Sequence, residues 1–460
     1  MVMADSLRKD HVGYYGNGWI KTPSIDKIAS EGVVFDYAYA EGLPTIPVRT
    51  SLFTGRYTLP FRGWQPLERD DLLIAEFLWN KGYVSSLISD TYHLHKPRMG
   101  FERGFDYVEW IRGQEYDPYI LDRDVEDLLK KYSEKNYGGT GESSSIPRLD
   151  RVKEMFKTYL RNVADWKDEE DHFIAQVVKA GTSWLKKVMS KGRRDKLFLW
   201  LDCFDPHEPW DPPNLYYEMY AVDEYDGLPI ILPQTISLTL PELRHVRAQY
   251  AGEVTLVDKW IGVLMEEVDN LGLLENTLLI FLSDHGEPLG EHGLVRKGQP
   301  WPYEELSHIP LIIKFPDSMG IKHKRIRSFV GMPDIMPTIL DFFSIKGPET
   351  MHGKSLLPLV LEGEKEGERN FGISGHFERA WSIRNCEWSF YTWLKPPMVQ
   401  EFKKKNELYR VDMNFVPSEP SKYNPEEDLA EKENLINEEK EIAGELESKL
   451  TSFIEKIRSS

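Results

Sequence analysis

Short apolar runs set apart by longer stretches of mixed character give this chain its rhythm. Val84–Ser89 (VSSLIS), Leu197–Cys203 (LFLWLDC), Thr277–Leu282 (TLLIFL) and Leu311–Phe315 (LIIKF) are nearly continuous in apolar side chains. Runs of that length and composition predict strands covered on both faces, as in a parallel sheet. Between them, apolar positions recur at helical spacing over Asp70–Lys81, His172–Ser190 and Arg244–Leu271. Strand and helix in alternation predict an α/β fold with a mostly parallel central sheet. No repeat of fixed period interrupts the pattern, which excludes a solenoid or propeller.

The pattern changes along the chain. Tyr132–Pro147 is rich in Gly and Ser and predicts a surface loop. Beyond Pro348, Phe371–Ser374, Trp381–Arg384, Trp388–Trp393 and Leu408–Val411 read as short strands of a smaller sheet, and Glu431–Ile457 as an amphipathic helix. The expected organisation is a catalytic unit over 1–345, a small antiparallel-sheet unit over 346–430 and a terminal helix over 431–460.

Composition supports two packed units, because 460 residues with 41% hydrophobic content exceed what one core holds, single cores ceasing to grow near roughly 250–300 residues. A formal net charge of -18 argues against partners that demand clustered Lys and Arg, namely nucleic acid and anionic membrane. The expected partner is a small ligand. The two cysteines, Cys203 and Cys386, supply neither a disulfide framework nor a cysteine zinc site, which fits a cytoplasmic setting. No run of about 18 apolar residues and no signal-peptide pattern is visible, so a soluble chain is expected.

Open α/β sheets bind ligands at the carboxyl ends of their strands. Asp5, Asp205 and Asp284 fall just past such ends. A single one is explained as a turn-forming Asp. Asp284-His285, inside SDHGEPLGEHG, adds a hard oxygen and an imidazole for one cation; Asp5 and the Thr45 hydroxyl would add oxygen. Such a donor set favours Ca2+, Mg2+ or Mn2+, with Zn2+ admitted by the imidazole. In Pro44–Arg56 (PTIPVRTSLFTGR), Thr45 stands four residues before Arg49 at the expected start of a helix. That hydroxyl can be both metal ligand and nucleophile, with Arg49 and the helix N-terminus holding anionic charge. Alone, the segment reads equally as a helix cap with Pro in the first turn.

The segment Thr45–Arg49 followed by Thr54-Gly55-Arg56 resembles the sulfatase signature of Cys or Ser, any residue, Pro, a small residue and Arg. Further resemblances follow in family order. They are Ala4–Arg8 with His11–Asn17, Thr22–Asp26, Thr91–Leu94, Gly104–Asp106, Asp205–His207 with Pro209-Trp210, Ser283–Gly293, Lys297-Gly298, Tyr303–Glu305, Ile309–Leu311, Pro333–Asp341, Gly353–Pro358 and Leu408-Tyr409. The chain is thereby similar to the sulfatase branch of the alkaline-phosphatase superfamily. This resemblance implies an alkaline-phosphatase-like three-layer sandwich with a small C-terminal α+β domain. It implies a metal site of Asp5, Asp284, His285 and Thr45 for one divalent cation, Ca2+ or Mn2+ first. Arg49 would position residue 45 and the anion, His93 and Lys297 would hold the ester oxygens, and His207 would protonate the leaving oxygen or help activate attack. The implied substrate is a small anionic ester, a sulfate ester in the first instance.

The chain also departs from the family. Formylglycine is made from Cys or Ser, so none is expected at Thr45. A hydrated aldehyde has two hydroxyls, one to attack sulfur and one to expel sulfate; threonine has one, so its covalent ester must be released by water. That moves weight toward phosphodiesters and phosphonate monoesters, and a non-catalytic anion-binding relative is the other alternative. Ser6 and Thr91 replace a family Asp and Lys, and His308 a common Arg. Asp205, His207 and His376 are the candidates for a second metal set. Only Met1–Met3 precede Ala4-Asp5, so the expectation is a short first strand or a truncated chain.

Overall fold

The apolar runs meet in one large sheet. The computed structural model describes residues 1–138, 146–234, 238–297, 301–363, 369–394 and 406–459, with backbone alone at 146–149. Its strands in chain order are β1 (Val2–Ala4), β2 (Val33–Tyr39), β3 (Gly42–Leu43), β4 (Val84–Ser89), β5 (Tyr107–Trp110), β6 (Leu197–Cys203), β7 (Leu279–Ser283), β8 (His308–Ile309), β9 (Leu311–Lys314), β10 (Lys324–Gly331), β11 (Gly372–His376), β12 (Ala380–Arg384), β13 (Trp388–Trp393) and β14 (Glu407–Arg410). The large sheet has the order β10-β2-β9-β7-β1-β6-β4-β5, with β8 beside β2. From β7 through β1, β6 and β4 to β5 every pairing is parallel. β1 is only three residues long yet pairs on both sides, Val2 standing opposite Leu201 and Phe281.

One direction differs from expectation. The run at Leu311 is apolar enough to suggest a parallel strand, but β9 is antiparallel to both β7 and β2. Apolarity reports burial on two faces, which β9 owes to its place inside the sheet, and carries no direction. The Asp70–Lys81 pattern is helical only over Ile74–Trp79, because Asp71 is committed to a turn, accepting from the Glu68 amide and pairing with Arg62. Helices Phe173–Ser190 and Leu240–Asn270 lie close to their expected places, and Ile146–Val163 is a further helix. Residues 139–145 of the expected Tyr132–Pro147 loop, and Gly298, lie outside the described residues.

Alternation along the strands sends side chains to two covered faces. Met3, Phe35, Leu87, Trp200 and Ile280 pack with Ile46, Leu52 and Phe53 of helix Thr45–Thr54 and with Ile335 and Ile339 of helix Ile335–Phe342. Val2, Ala4, Val34, Ile88, Leu201 and Phe281 pack with helices Pro23–Glu31, Phe173–Ser190 and Leu240–Asn270. The result is helices over sheet over helices.

The second sheet has the order β14-β13-β12-β11-β3, antiparallel except where β11 meets β3. β3 is therefore shared, since it comes from the catalytic unit and leads straight into Thr45. Helix Lys440–Ser459 covers this sheet through Leu446, Leu450 and Ile454. It begins later than the expected Glu431, whose carboxylate is buried and accepts the Ser389 and Tyr391 hydroxyls. Among the described residues no helix is long and apolar enough to cross a membrane.

Candidate active site

Neighbouring parallel strands β7, β1, β6 and β4 end on one edge and deliver their successors there: Asp284 and His285, Asp5, Asp205 and His207, Thr91 and His93. Asp5, Asp284 and His285 are wholly buried and converge, one ligand atom from each lying within 4.8 Å of the others. His285 Nε2 stands 3.5 Å from Asp284 Oδ2, 3.9 Å from Asp5 Oδ1 and 3.4 Å from Thr45 Oγ1. Its Nδ1 donates to the Gly286 carbonyl at 2.8 Å, which fixes the tautomer and leaves the Nε2 lone pair facing the carboxylates, the arrangement typical of a metal-binding imidazole. Asp5 Oδ2 accepts no hydrogen bond, although the Arg49 guanidinium lies 3.1 Å away. Thr45 is the first residue of helix Thr45–Thr54 and its side chain closes the cluster.

Arg49, one helical turn on, is buried among carboxylates. It donates to Asp202 through Nε and Nη2, to Asp284 Oδ2 at 2.6 Å and to the Thr45 carbonyl at 3.2 Å. Asp202 also accepts from the Thr91 hydroxyl at 2.7 Å. Asp202 belongs to no motif of the sequence; its one signal is a lone acid inside LFLWLDC, since a carboxylate buried in a strand needs a partner. Lys297 Nζ donates to Ser6 Oγ at 2.9 Å and lies 3.4 Å from Glu287 and 3.9 Å from both Asp5 and Glu208. His207 Nδ1 donates to the Glu208 carbonyl at 2.5 Å, with the ring stacked on Phe204. His93 is bound at both nitrogens, Nε2 to Glu115 at 2.9 Å and Nδ1 to Lys96 at 3.1 Å. Asp205 takes the Ile174 amide and the Gln114 side chain and so caps helix Phe173–Ser190; among the described residues it forms no three-ligand cluster with His207 and His376. His376, on β11, is buried with Nε2 unpartnered.

Electrostatics single out the cluster. Burial and the adjacent Asp284 push the Asp5 carboxyl well above its usual range. Burial works the same way on Asp284, but His285 and Arg49 outweigh it and hold Asp284 far below. Burial and Glu208 lift Glu287 to about 8, whereas Glu208 and Glu287 overcome the burial of Lys297 and raise its pKa. Burial drops His207 to about 3, so its imidazole is neutral at neutral pH. Even with Asp5 and Glu287 shifted toward their protonated forms, buried Asp202, Asp284, Glu115 and Glu208 outnumber the cations Arg49, Arg296 and Lys297. Such an excess is costly in a dry interior unless a cation reduces it. Two carboxylates, one bare imidazole nitrogen and a hydroxyl fit a divalent ion.

A hydroxyl at a helix N-terminus beside hard metal ligands on a strand-end edge is the constellation of a metal-assisted ester hydrolase. The chain belongs to the sulfatase family: the model described as Sulfatase matches residues 1–345, and that described as N-sulphoglucosamine sulphohydrolase, C-terminal, matches residues 290–458. It is 28% identical to an arylsulfatase of Clostridium perfringens over 90% of this chain and 92% of that protein. It is 26% identical to the multifunctional alkaline phosphatase superfamily protein PehA of Trinickia caryophylli, over 79% of this chain and 77% of that one. In fold it resembles the crystal structure of the phosphonate monoester hydrolase of Agrobacterium radiobacter, with a TM-score of 0.73, 20% identity and coverage of 99% and 95% of the two chains. The chain is thus a sulfatase-family hydrolase on an alkaline-phosphatase-superfamily scaffold.

Proposed function

We propose that this hydrolase cleaves small sulfate monoesters with Thr45 as nucleophile and one divalent cation, Ca2+ or Mn2+ first, held by Asp5, Asp284 and His285. The observation that carries this reading is the Thr45 hydroxyl 3.4 Å from the inward-facing Nε2 of His285. The cation, when bound, would supply Lewis acidity that makes the hydroxyl easier to deprotonate. Arg49 orients Thr45 by holding its carbonyl, and Lys297 offers its charge to the ester oxygens. Thr45 Oγ bonds to sulfur as the sulfur–ester oxygen bond breaks, and the proton lost by the Thr45 hydroxyl is the one the departing alcohol takes up. Water then attacks sulfur and restores the threonine. His207, with Nδ1–H committed to the Glu208 carbonyl, presents Nε2 as the acceptor of that water's proton. His93, expected to hold an ester oxygen, has its ring nitrogens engaged by Glu115 and Lys96 and would have to release one to reach the substrate. The buried thiol of Cys203 and the exposed Cys386 suit a cytoplasmic setting.

The single hydroxyl of Thr45 favours a second reading, hydrolysis of phosphate diesters or phosphonate monoesters, because water-resolved release needs no second hydroxyl. A panel of p-nitrophenyl sulfate, p-nitrophenyl phosphate, bis-p-nitrophenyl phosphate and p-nitrophenyl phenylphosphonate, assayed with Mn2+ or Ca2+, separates the two. Fastest turnover of the sulfate supports the first reading and fastest turnover of a phosphorus ester the second. Metal bound without turnover of any of the four would overturn both.

A further inference from the structure

A second set of metal-ligand side chains lies outside the Thr45 site, where three separate stretches meet. His292 lies in the turn Glu291–Gly293, Glu305 in the helical turn Glu304–Ser307, and Glu431 in the segment leading to the C-terminal helix. One ring nitrogen of His292 and one carboxylate oxygen from each glutamate lie within 4.8 Å of one another. Glu305 is 8% exposed and Glu431 is wholly buried.

The local hydrogen bonds and ion pairs show what is missing. Glu291 is matched by two guanidiniums, Arg8 at 2.7 Å and Arg247 at 2.9 Å. Glu304 is matched by Arg384 and His308. Glu431 accepts the Ser389 and Tyr391 hydroxyls and the Glu304 amide. Glu305 has no such provision: Oε1 accepts no hydrogen bond, and among the described residues no Lys or Arg comes within ion-pair distance of it. His292 Nε2 is likewise buried without a partner. The His292 ring is held by stacking on Tyr303, centroids 3.9 Å apart, from a backbone at φ 52°, a left-handed conformation few non-glycine residues adopt. A buried carboxylate next to other carboxylates needs a proton or a cation, and an adjacent bare imidazole nitrogen is a donor that a proton on the acid does not require.

We propose that His292, Glu305 and Glu431 bind a second divalent ion, Zn2+ being the best match to one imidazole and two carboxylates, and that this ion ties the C-terminal segment to the catalytic unit. Ligands about 2.0–2.2 Å from a tetrahedral Zn2+ stand roughly 3.4 Å apart, so side-chain shifts of about 1 Å close the site. Its link to the catalytic edge is direct: a Cβ on Gly286 would meet the Glu305 carbonyl oxygen at 2.1 Å, so the turn that carries His285 packs on the backbone that carries Glu305.

The test is Zn2+ stoichiometry of the full chain after chelator stripping, measured by calorimetry and elemental analysis. In an Asp284→Ala background, which removes a ligand of the catalytic cluster, one equivalent should remain and its removal by chelator should lower Tm. Adding His292→Ala or Glu305→Gln should abolish that equivalent; Glu305→Gln, a neutral isostere of the protonated acid, guards against a fold lost through charge. Co2+ substituted into the Asp284→Ala protein should give a tetrahedral visible band that His292→Ala removes. No Zn2+ bound by Asp284→Ala, or Zn2+ bound unchanged after Glu305→Gln, would overturn the second site while leaving the Thr45 reading untouched. Failure of the Thr45 reading alone would show in the wild type, as no turnover of any of the four esters while this equivalent is bound.

Discussion

Arg49 and Asp202 form the buried pair that braces the cluster of Thr45, Asp5 and Asp284. Arg49 reaches Thr45, Asp284 and Asp202 together, so removing Asp202 leaves a guanidinium with one fewer carboxylate and a displaced orientation. Asp202→Asn is expected to cost about 3–5 kcal/mol in urea unfolding, the usual penalty for breaking a buried pair, and to reduce kcat; unchanged stability would mean that Asp284, Asp5 and the Thr45 carbonyl hold Arg49 without it. Legibility at this scale followed chain distance. Asp5, Thr45, Asp284 and His285 could be read because each sits at a strand end or helix start inside a local motif. Asp202 and Glu115 could not, because their meaning lies in partners 153 and 22 residues away, and local pattern does not encode such pairings.

Elements show the same division. Length and apolar content located β4, β6, β7 and the long helices, whereas the antiparallel course of β9 and the sharing of β3 depend on tertiary pairing. That sharing has a consequence. β3 pairs through Gly42 and Leu43 with Gly375 and His376 of β11, so the small sheet braces the approach to Thr45. An added Cβ at Gly375 would meet the Ala380 carbonyl oxygen at 2.3 Å. Gly375→Val should therefore lower kcat by shifting Thr45, with metal stoichiometry at Asp284 preserved; an unchanged kcat would separate the sheet from the site. His245, near the start of helix Leu240–Asn270, accepts the Ile230 amide at Nε2, and burial lowers it to about 4. The unfolded chain takes up this proton near pH 6.5 and the folded chain only near 4, so the stability it contributes is complete above pH 6.5 and falls below it. Between pH 7.5 and 5 the wild type should lose about 2 kcal/mol more than His245→Gln, read from urea midpoints at the two pH values. Equal losses would remove His245 as a source of acid sensitivity.

For the whole molecule, the three-layer plan and the membership of the sulfatase family rest on different grounds. The layers follow from strands whose alternate side chains are buried on both faces, and the membership from the family match over residues 1–345. The charge of -18 belongs to this scale as well. An anionic ester approaches a chain of like sign, so screening should help it, in contrast to electrostatically steered enzymes. Raising NaCl from 20 to 200 mM, with the metal saturating, is expected to increase kcat/KM for a sulfate or phosphonate ester about twofold or more. A decrease would locate a positive funnel at the pocket mouth despite the overall charge.

The central claim is that Thr45 itself forms the bond to the substrate. The most direct measurement is single-turnover hydrolysis by Thr45→Ala beside wild type, on the fastest ester of the panel and with metal content determined on the same samples. Loss of activity by a factor of about a thousand or more, with the ion still bound by Asp5, Asp284 and His285, is the result the account predicts. Comparable turnover by the two proteins would contradict it and transfer the attack to water.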